Sequence, residues 1–306
     1  MEFCLKILGA NSATPAYGRH QTSQLLNLEN SHFLIDCGEG TQMQLIKYRA
    51  KVSRIHHIFI SHLHGDHIFG LIGLINTMNL SGRTEDLHVY GPYNLMDIIT
   101  PPLRHSNTRL RFKLHFTAVD TRRSYLLYEN DRLTVHTIPL DHGISCSGYL
   151  FTEKEKELRI NKEKLPEGLA VEDFLALKSG KDLYHTDGTL RYTNQELTLP
   201  PKKRRSFAYC SDTRYNENIL DIIQGVDLLY HEATFMHDLA EKARERHHTT
   251  TVEAATMAKK AEVGRLIIGH YSSRYRDLEP LRQEAQSVFP NTQLAIEGEN
   301  YFIEEV

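Results

Sequence analysis

Four side chains able to bind a metal fall within six positions of this sequence, in His62-Leu63-His64-Gly65-Asp66-His67. They follow a strand-like apolar run that ends at Ile60-Ser61. In a tight loop with glycine at its centre, the alternation of His62 and His64 points both imidazoles the same way. Asp66 and His67 then turn to a neighbouring point. Four ligands on one loop suit two adjacent metal ions better than one, because each ion needs its own three or four nitrogens and oxygens. A lone His-x-His is usually a surface loop, whereas His-x-His-x-Asp-His at a strand end is far more specific. Two ions also need ligands from distant positions. His142 in Pro139-Leu140-Asp141-His142-Gly143, Asp212 in Cys210-Ser211-Asp212-Thr213 and His270 in Ile267-Ile268-Gly269-His270 each close an apolar run beside a small residue or a turn. That is where a strand delivers a ligand to the rim of a sheet. Singly, each reads as a loop residue or a satisfied core group; jointly they point to a metal centre.

The elements that must hold these residues are legible as alternating runs. Strands are expected at Phe3–Leu8, Gln24–Leu28, His32–Asp36, His56–Ser61, Leu87–Tyr90, Lys113–Ala118, Leu133–Ile138, Ser147–Phe151, Phe207–Cys210, Leu228–His231 and Arg265–Gly269. Helices are expected at Thr41–Arg49, Gly70–Leu80, Leu95–Ile99, Asn216–Ile223, Asp238–Arg246, Thr251–Ala261 and Leu278–Val288, the sixth opened by the capping-box signal Thr250-Thr251-Val252-Glu253. Hairpins precede strand–helix alternation, which predicts an α/β fold of two packed mixed sheets flanked by helices. The stretch 153–205 stands apart, with 12 Lys/Arg against 10 Asp/Glu, and ends in Pro200-Pro201-Lys202-Lys203-Arg204-Arg205. It reads as an arm inserted in a single domain spanning 1–306.

Composition narrows the class. The 306 residues are 40% hydrophobic and 25% charged with a net charge of −3, which excludes a strongly basic nucleic-acid coat protein. The N-terminal residues lack the basic and apolar regions of a signal peptide. The longest apolar-plus-glycine run, Ile68 to Ile75, is 8 residues, far short of a membrane span. Four scattered cysteines without a Cys-x-x-Cys pair read as reduced thiols, so a cytoplasmic location is expected.

The cluster at His62–His67 is also the signature of the metallo-β-lactamase superfamily. Within it, the chain resembles the ribonuclease Z family of tRNA 3′-processing endonucleases. The match runs through Phe33-Leu34-Ile35-Asp36-Cys37-Gly38-Glu39-Gly40-Thr41-Gln42, Pro139-Leu140-Asp141-His142, Ser211-Asp212-Thr213-Arg214, His231-Glu232-Ala233-Thr234-Phe235, His248-Thr249-Thr250 and His270-Tyr271-Ser272-Ser273-Arg274-Tyr275. The resemblance implies an αββα four-layer sandwich with two zinc ions per subunit at the sheet edge. His62, His64 and His142 would hold one ion, Asp66, His67 and His270 the other, and Asp212 would bridge. An imidazole-rich N/O donor set suits zinc on its own chemistry.

The same resemblance makes Asp66 the group that takes the proton of the attacking water and His248 the acid or phosphate contact. His231 and Glu232 would be an orienting pair beside it, although a buried strand-end histidine is the competing reading of His231. Lys203 and Arg204 would contact RNA from a loop near the cleavage site. Arg274 is either another RNA contact or an ion-pair partner. The substrate implied is precursor tRNA, cut to leave a tRNA 3′-hydroxyl and a 5′-phosphate on the trailer. The arm would grip tRNA for the partner subunit of a homodimer, with no membrane and no other protein partner. It departs from the family, reading Leu165-Pro166-Glu167-Gly168-Leu169 without a Gly-Pro pair; Asn11-Ser12-Ala13-Thr14 and Ser211 depart as well. The unusual arm leaves open a hydrolase of small phosphodiesters on the same fold; an RNA-binding relative without activity is the third reading, and the complete ligand set argues against it.

Overall fold

The computed structural model describes residues 2–29 and 31–304. The expected span of 1–306 also takes in Met1, Asn30, Glu305 and Val306, which lie outside the described residues. In chain order the first half comprises β1 (Phe3–Gly9), β2 (Ser23–Leu28), β3 (Ser31–Ile35), α1 (Thr41–Lys47), β4 (Ile55–Phe59), α2 (Gly65–Leu80), β5 (Leu87–Gly91), α3 (Leu95–His105) and β6 (Leu114–Ala118). Then follow β7 (Leu126–Glu129), β8 (Leu133–Pro139) and β9 (Ser147–Glu153). Within the arm stand β10 (Arg159–Ile160), α4 (Val171–Lys178), β11 (Leu183–Tyr184), β12 (Leu190–Tyr192), α5 (Asn194–Leu197) and β13 (Thr198–Leu199). The remainder is β14 (Ser206–Cys210), α6 (Leu220–Ile223), β15 (Leu228–Glu232), α7 (Ala240–Glu245), α8 (Thr251–Lys260), β16 (Leu266–Gly269), α9 (Glu279–Gln286), β17 (Thr292–Leu294) and β18 (Asn300–Phe302).

Two seven-stranded mixed sheets result, ordered β18-β1-β2-β3-β4-β5-β6 and β17-β16-β15-β14-β9-β8-β7. The strand period of two sorts side chains between faces. Phe33 and Ile35 enter the core between the sheets with Phe59, Phe151, Phe207 and Tyr209, while Leu34 between them joins Ile58 beneath the helices. On α2, Ile68, Leu71, Ile75 and Met78 recur at helical spacing and bury one stripe against that outer face. This is the α/β sandwich of two mixed sheets flanked by helices that the pattern predicts. The capping box at α8 is present: Thr250 Oγ1 accepts from Glu253 N, and Thr250 N donates to the Glu253 carboxylate. No helix among the described residues is long and apolar enough to cross a membrane.

One boundary differs in a way that matters. The α2 helix begins at Gly65, not Gly70, so Asp66 and His67 lie in its first turn and only His62 to His64 are extended loop. A carboxylate is favoured there by the unpaired N–H groups and the helix dipole. The helix start packs very closely on the loop after β3. A side-chain carbon at Gly70 would fall 2.1 Å from Gly38 O, and one at Gly38 would fall 2.3 Å from Asp66 O. Two backbone bonds hold the contact, Cys37 N to His67 O at 2.7 Å and Gly70 N to Cys37 O at 2.9 Å.

The arm leaves from β9 and returns into β14, which are antiparallel neighbours with Thr152 opposite Ser206. Its helices and short strands, absent from the sequence reading, enclose a small cluster of Leu177, Leu183 and Leu197.

Candidate metal centre

The parallel strands of both sheets end at one edge of the sandwich. β3 and β4 deliver Asp36, Ser61 and His62; β14, β15 and β16 deliver Asp212, Glu232 and His270. That is the crevice beyond the carboxyl ends of parallel strands where α/β sheets bind ligands. His142 arrives from the turn after β8, and α2 supplies Asp66 and His67.

All seven predicted ligands converge there in two groups. His62 Nε2 lies 3.0 Å from His64 Nδ1, and His142 Nε2 lies 3.2 Å from the same atom. In the second group, His67 Nε2 and His270 Nε2 stand 3.4 and 3.6 Å from Asp66 Oδ2. Asp212 divides its carboxylate between them. Its Oδ2 is 3.7 Å from His62 Nε2 and 3.8 Å from His142 Nε2, while its Oδ1 is 3.4 Å from His67 Nε2 and 3.2 Å from His270 Nε2. Ligand atoms about 2.0–2.2 Å from a tetrahedral zinc are roughly 3.3–3.6 Å apart, so the spacing fits.

The outer ring nitrogens fix which lone pairs face inward. His62 Nδ1 meets Ser61 Oγ at 3.0 Å, His67 Nδ1 meets Asp36 Oδ2 at 2.8 Å, His142 Nδ1 meets the His247 carbonyl at 3.0 Å, and His270 Nδ1 meets Thr234 Oγ1 at 2.8 Å. Each outer nitrogen therefore keeps its proton and each Nε2 presents a lone pair to the cluster. His67 Nε2, His270 Nε2 and Asp212 Oδ1 are buried with no hydrogen-bond partner among the described residues. Buried acceptors without donors, facing one another beside buried Asp66 and Asp212, call for cations. The electrostatics call for positive charge at the same place: burial opposes charging His67, yet Asp212, Asp36 and Asp66 drive its pKa well above the usual imidazole value, favouring a proton on Nε2 where a cation would otherwise sit. Burial likewise opposes charge on Asp66, but His67 and His270 pull its pKa far down. The residues fit a metal site.

Beside the cluster, His248 Nδ1 meets Glu232 Oε1 at 2.8 Å. Burial alone would lower the pKa of His248, but the Glu232 carboxylate raises it to about 9. Glu232 is itself held by Thr213 N at 2.9 Å and Thr234 Oγ1 at 2.6 Å. His231 is not brought to this group. Neighbours on a strand face opposite ways; its Nδ1 meets Glu232 O at 2.7 Å and its ring is fully buried, matching the competing reading of a strand-end core histidine.

The basic run is also elsewhere. Lys203 Nζ pairs with Asp227 Oδ1 at 2.7 Å, beside the first residues of β14 and β15. Strands of five residues place that end about 13 Å from the ligand-bearing one, so Lys203 and Arg204 are not brought to the cluster. Arg204 is exposed. Arg274 does reach the rim: its guanidinium lies over the Phe235 ring at 5.2 Å, and that ring meets His248 edge-on at 6.1 Å. Among the described residues Arg274 forms no ion pair.

Asp36, Ser61 and Thr234 belong to this site and were not singled out from sequence. Asp36 closes the apolar run Phe33–Ile35 beside Cys37-Gly38, the same signal that marks Asp212. The His247 carbonyl left no side-chain signal. Asp36, His247 and His270 have φ of 54°, 53° and 61°, left-handed values that cost non-glycine residues energy and often mark functional sites.

Comparison with known proteins places these residues in context. A family model described as "Anti-Pycsar protein Apyc1" matches residues 3–149. Ribonuclease Z of Cytophaga hutchinsonii is 49% identical over 305 residues, covering 100% of this chain and 97% of that protein. Ribonuclease Z of Bacteroides fragilis is 46% identical, covering 97% and 98%. The crystal structure of the short form of human tRNase Z matches with a TM-score of 0.72 at 28% identity, over 98% of this chain and 99% of that one.

Proposed function

The chain belongs to the ribonuclease Z family and is an endoribonuclease of tRNA 3′-end processing, and from that premise we propose that it removes the 3′ trailer of precursor tRNA at a centre of two zinc ions. The observation that carries this reading is the division of the Asp212 oxygens between two ligand groups. His62, His64 and His142 would hold one ion, Asp66, His67 and His270 the other, and Asp212 both. When bound, the ions supply Lewis acidity at the phosphodiester and lower the pKa of the attacking water.

The chain's own residues supply the remaining proton chemistry. Asp66 accepts the proton of the attacking water. The leaving group is the ribose 3′-oxygen, a poor one, and it needs a proton. His248 Nε2 donates it, while Glu232 holds the opposite ring nitrogen and stabilises the charged ring. Cleavage leaves the tRNA 3′-hydroxyl and a 5′-phosphate on the trailer.

Substrate binding extends along the rim. Arg274, on its Phe235 platform, contacts the phosphate backbone. A groove of about 660 Å³ lined by Leu63, Tyr93 and Ile144 adjoins the ligand loops, and the exposed Tyr93 ring suits stacking on an unpaired base. The arm over 153–205, with exposed Arg204 at its foot and Lys203 there paired with Asp227, binds tRNA away from the cluster, serving the second subunit of a homodimer. Exposed Met43 and Ile46 on α1 and Phe69 on the adjoining α2 support such a pairing. All four cysteines are buried free thiols, in keeping with a cytoplasmic enzyme.

The test is cleavage of a 3′-extended precursor tRNA by zinc-loaded protein, beside His64→Ala and beside a small phosphodiester. A cut after the discriminator nucleotide, lost in His64→Ala, is expected. Hydrolysis of the small ester without tRNA cleavage would overturn the substrate and leave the site.

A further inference from the structure

We propose that Ser61 is a positioning residue shared by both metal half-sites, its single hydroxyl orienting His62 for one ion and, through Asp36, His67 for the other. The inference rests on the two-ion reading above and adds to it a physical link between the two ligand groups.

The proton directions follow from the partners. Ser61 Oγ lies 2.8 Å from Asp36 Oδ2, 3.0 Å from His62 Nδ1 and 3.0 Å from Ser211 Oγ. A hydroxyl has one proton to give and two lone pairs. The Asp36 carboxylate only accepts, so Ser61 donates to it. Ser61 then accepts from the His62 Nδ1–H, which leaves the His62 Nε2 lone pair for the cluster, and from the Ser211 hydroxyl. The same Asp36 oxygen accepts from His67 Nδ1 at 2.8 Å and from Tyr209 OH at 2.6 Å, while its Oδ1 takes Ser61 N–H at 2.7 Å. Every donor and acceptor on Ser61 is used. Ser61, Asp36, Tyr209 and Ser211 are all buried, so water does not replace a lost member.

His142 and His270 are held differently, by the His247 carbonyl and by Thr234. Neither of those partners touches a ligand of the opposite group. Ser61 touches His62 directly at 3.0 Å, and it meets His67 both through the shared Asp36 oxygen and by a longer 3.5 Å approach to His67 Nδ1. Loss of its hydroxyl leaves the His62 Nδ1–H without an acceptor and loosens Asp36 at once. Ser211 feeds the same hydroxyl.

The test is stepwise metal affinity, independent of activity. Metal-free protein is titrated with Co2+ and followed by visible absorption and calorimetry. The unaltered chain is expected to take two ions in two steps. Ser61→Ala weakens both steps by about tenfold or more, the usual scale for an outer partner of a metal ligand. Thr234→Val, which among the metal ligands removes the partner of His270 alone, weakens one. Ser211→Ala, which leaves the Ser61 hydroxyl in place, shifts both steps by a smaller factor and carries the test if Ser61→Ala does not fold. A Ser61→Ala or Ser211→Ala protein in which one step moves and the other stays, or neither moves, overturns the proposal. An unaltered chain that takes up one ion or none overturns the two-ion reading, and the proposal with it.

Discussion

Glu153 and Arg205, 52 residues apart, meet in a buried ion pair where the arm leaves and re-enters the second sheet. Arg205 Nη2 reaches Glu153 Oε1 at 2.6 Å, and Nε reaches Oε2 at 2.9 Å. The Arg205 backbone N–H adds a bond to the same carboxylate at 2.9 Å, and Nη1 donates to Ile303 O at 3.0 Å. Both feet of the arm are thereby clamped to each other and to the end of the chain.

Removing one partner of such a pair strands a buried charge, at about 3–5 kcal/mol. Glu153→Gln is therefore expected to lose about 3 kcal/mol in urea unfolding at pH 7. Burial opposes ionisation of Glu153, but Arg205 and Lys156 hold its pKa below the ordinary 4.5. The folded state thus binds that proton more weakly than the unfolded chain. The contribution is complete above pH 4.5 and disappears as pH falls through the lower folded value. Glu153→Gln should lack that part of the acid sensitivity; an unchanged acid profile would place it elsewhere.

Glu232 and His248 act together in the reading above. Replacing His248 by Ala should lower kcat on precursor tRNA by about 10²–10⁴, the range for a general acid. Glu232→Gln should lower it less, with full metal content by mass spectrometry. Normal turnover in His248→Ala would assign the leaving-group proton to another residue.

Because Asp212 serves both ligand groups, Asp212→Ala should carry less than one equivalent of zinc, whereas His64→Ala should keep about one of two. Elemental analysis after dialysis distinguishes them. If Asp212→Ala retains one full equivalent, the bridging role is wrong.

Arg274 and Lys203 separate the rim from the far edge. Arg274→Ala should raise KM for precursor tRNA about tenfold and flatten its salt dependence. Lys203→Ala, already paired with Asp227 and remote from the cluster, should change KM by less than about threefold. The reverse ranking would mean that the RNA crosses the far edge first.

Association is the last expectation. Phe69→Asp puts a charge into the exposed apolar face shared by α1 and α2 and should turn a dimer into a monomer in sedimentation equilibrium. A dimer that survives it pairs through another surface.

Much of this was legible beforehand because the ligands close apolar runs. His62, His142, Asp212 and His270 each stand where a strand ends, and strand ends are what short-range patterning reveals best. What stayed hidden depends on distant neighbours. Asp36 bears the same strand-end mark, but its role requires the close packing of Gly38 and Gly70. The start of α2 at Gly65 was missed because glycine and His-x-His read as loop. Glu232 and His231 are adjacent in sequence, and only the registered sheet decides which faces the cluster. β17 and β18, three residues each, exist by pairing with neighbours, and no periodicity announces them.

Each half-site draws on both halves of the sandwich: His62 and His64 after β4 with His142 after β8, and Asp66 and His67 on α2 with His270 after β16. A bound ion is thus a rivet across the seam of the sandwich. Its affinity adds to the cohesion of the two halves, about 4 kcal/mol for each site at a thousandfold excess over Kd. Chelation would remove that added cohesion, leaving the shared apolar core and the pairing of β18 with β1 to hold the two halves.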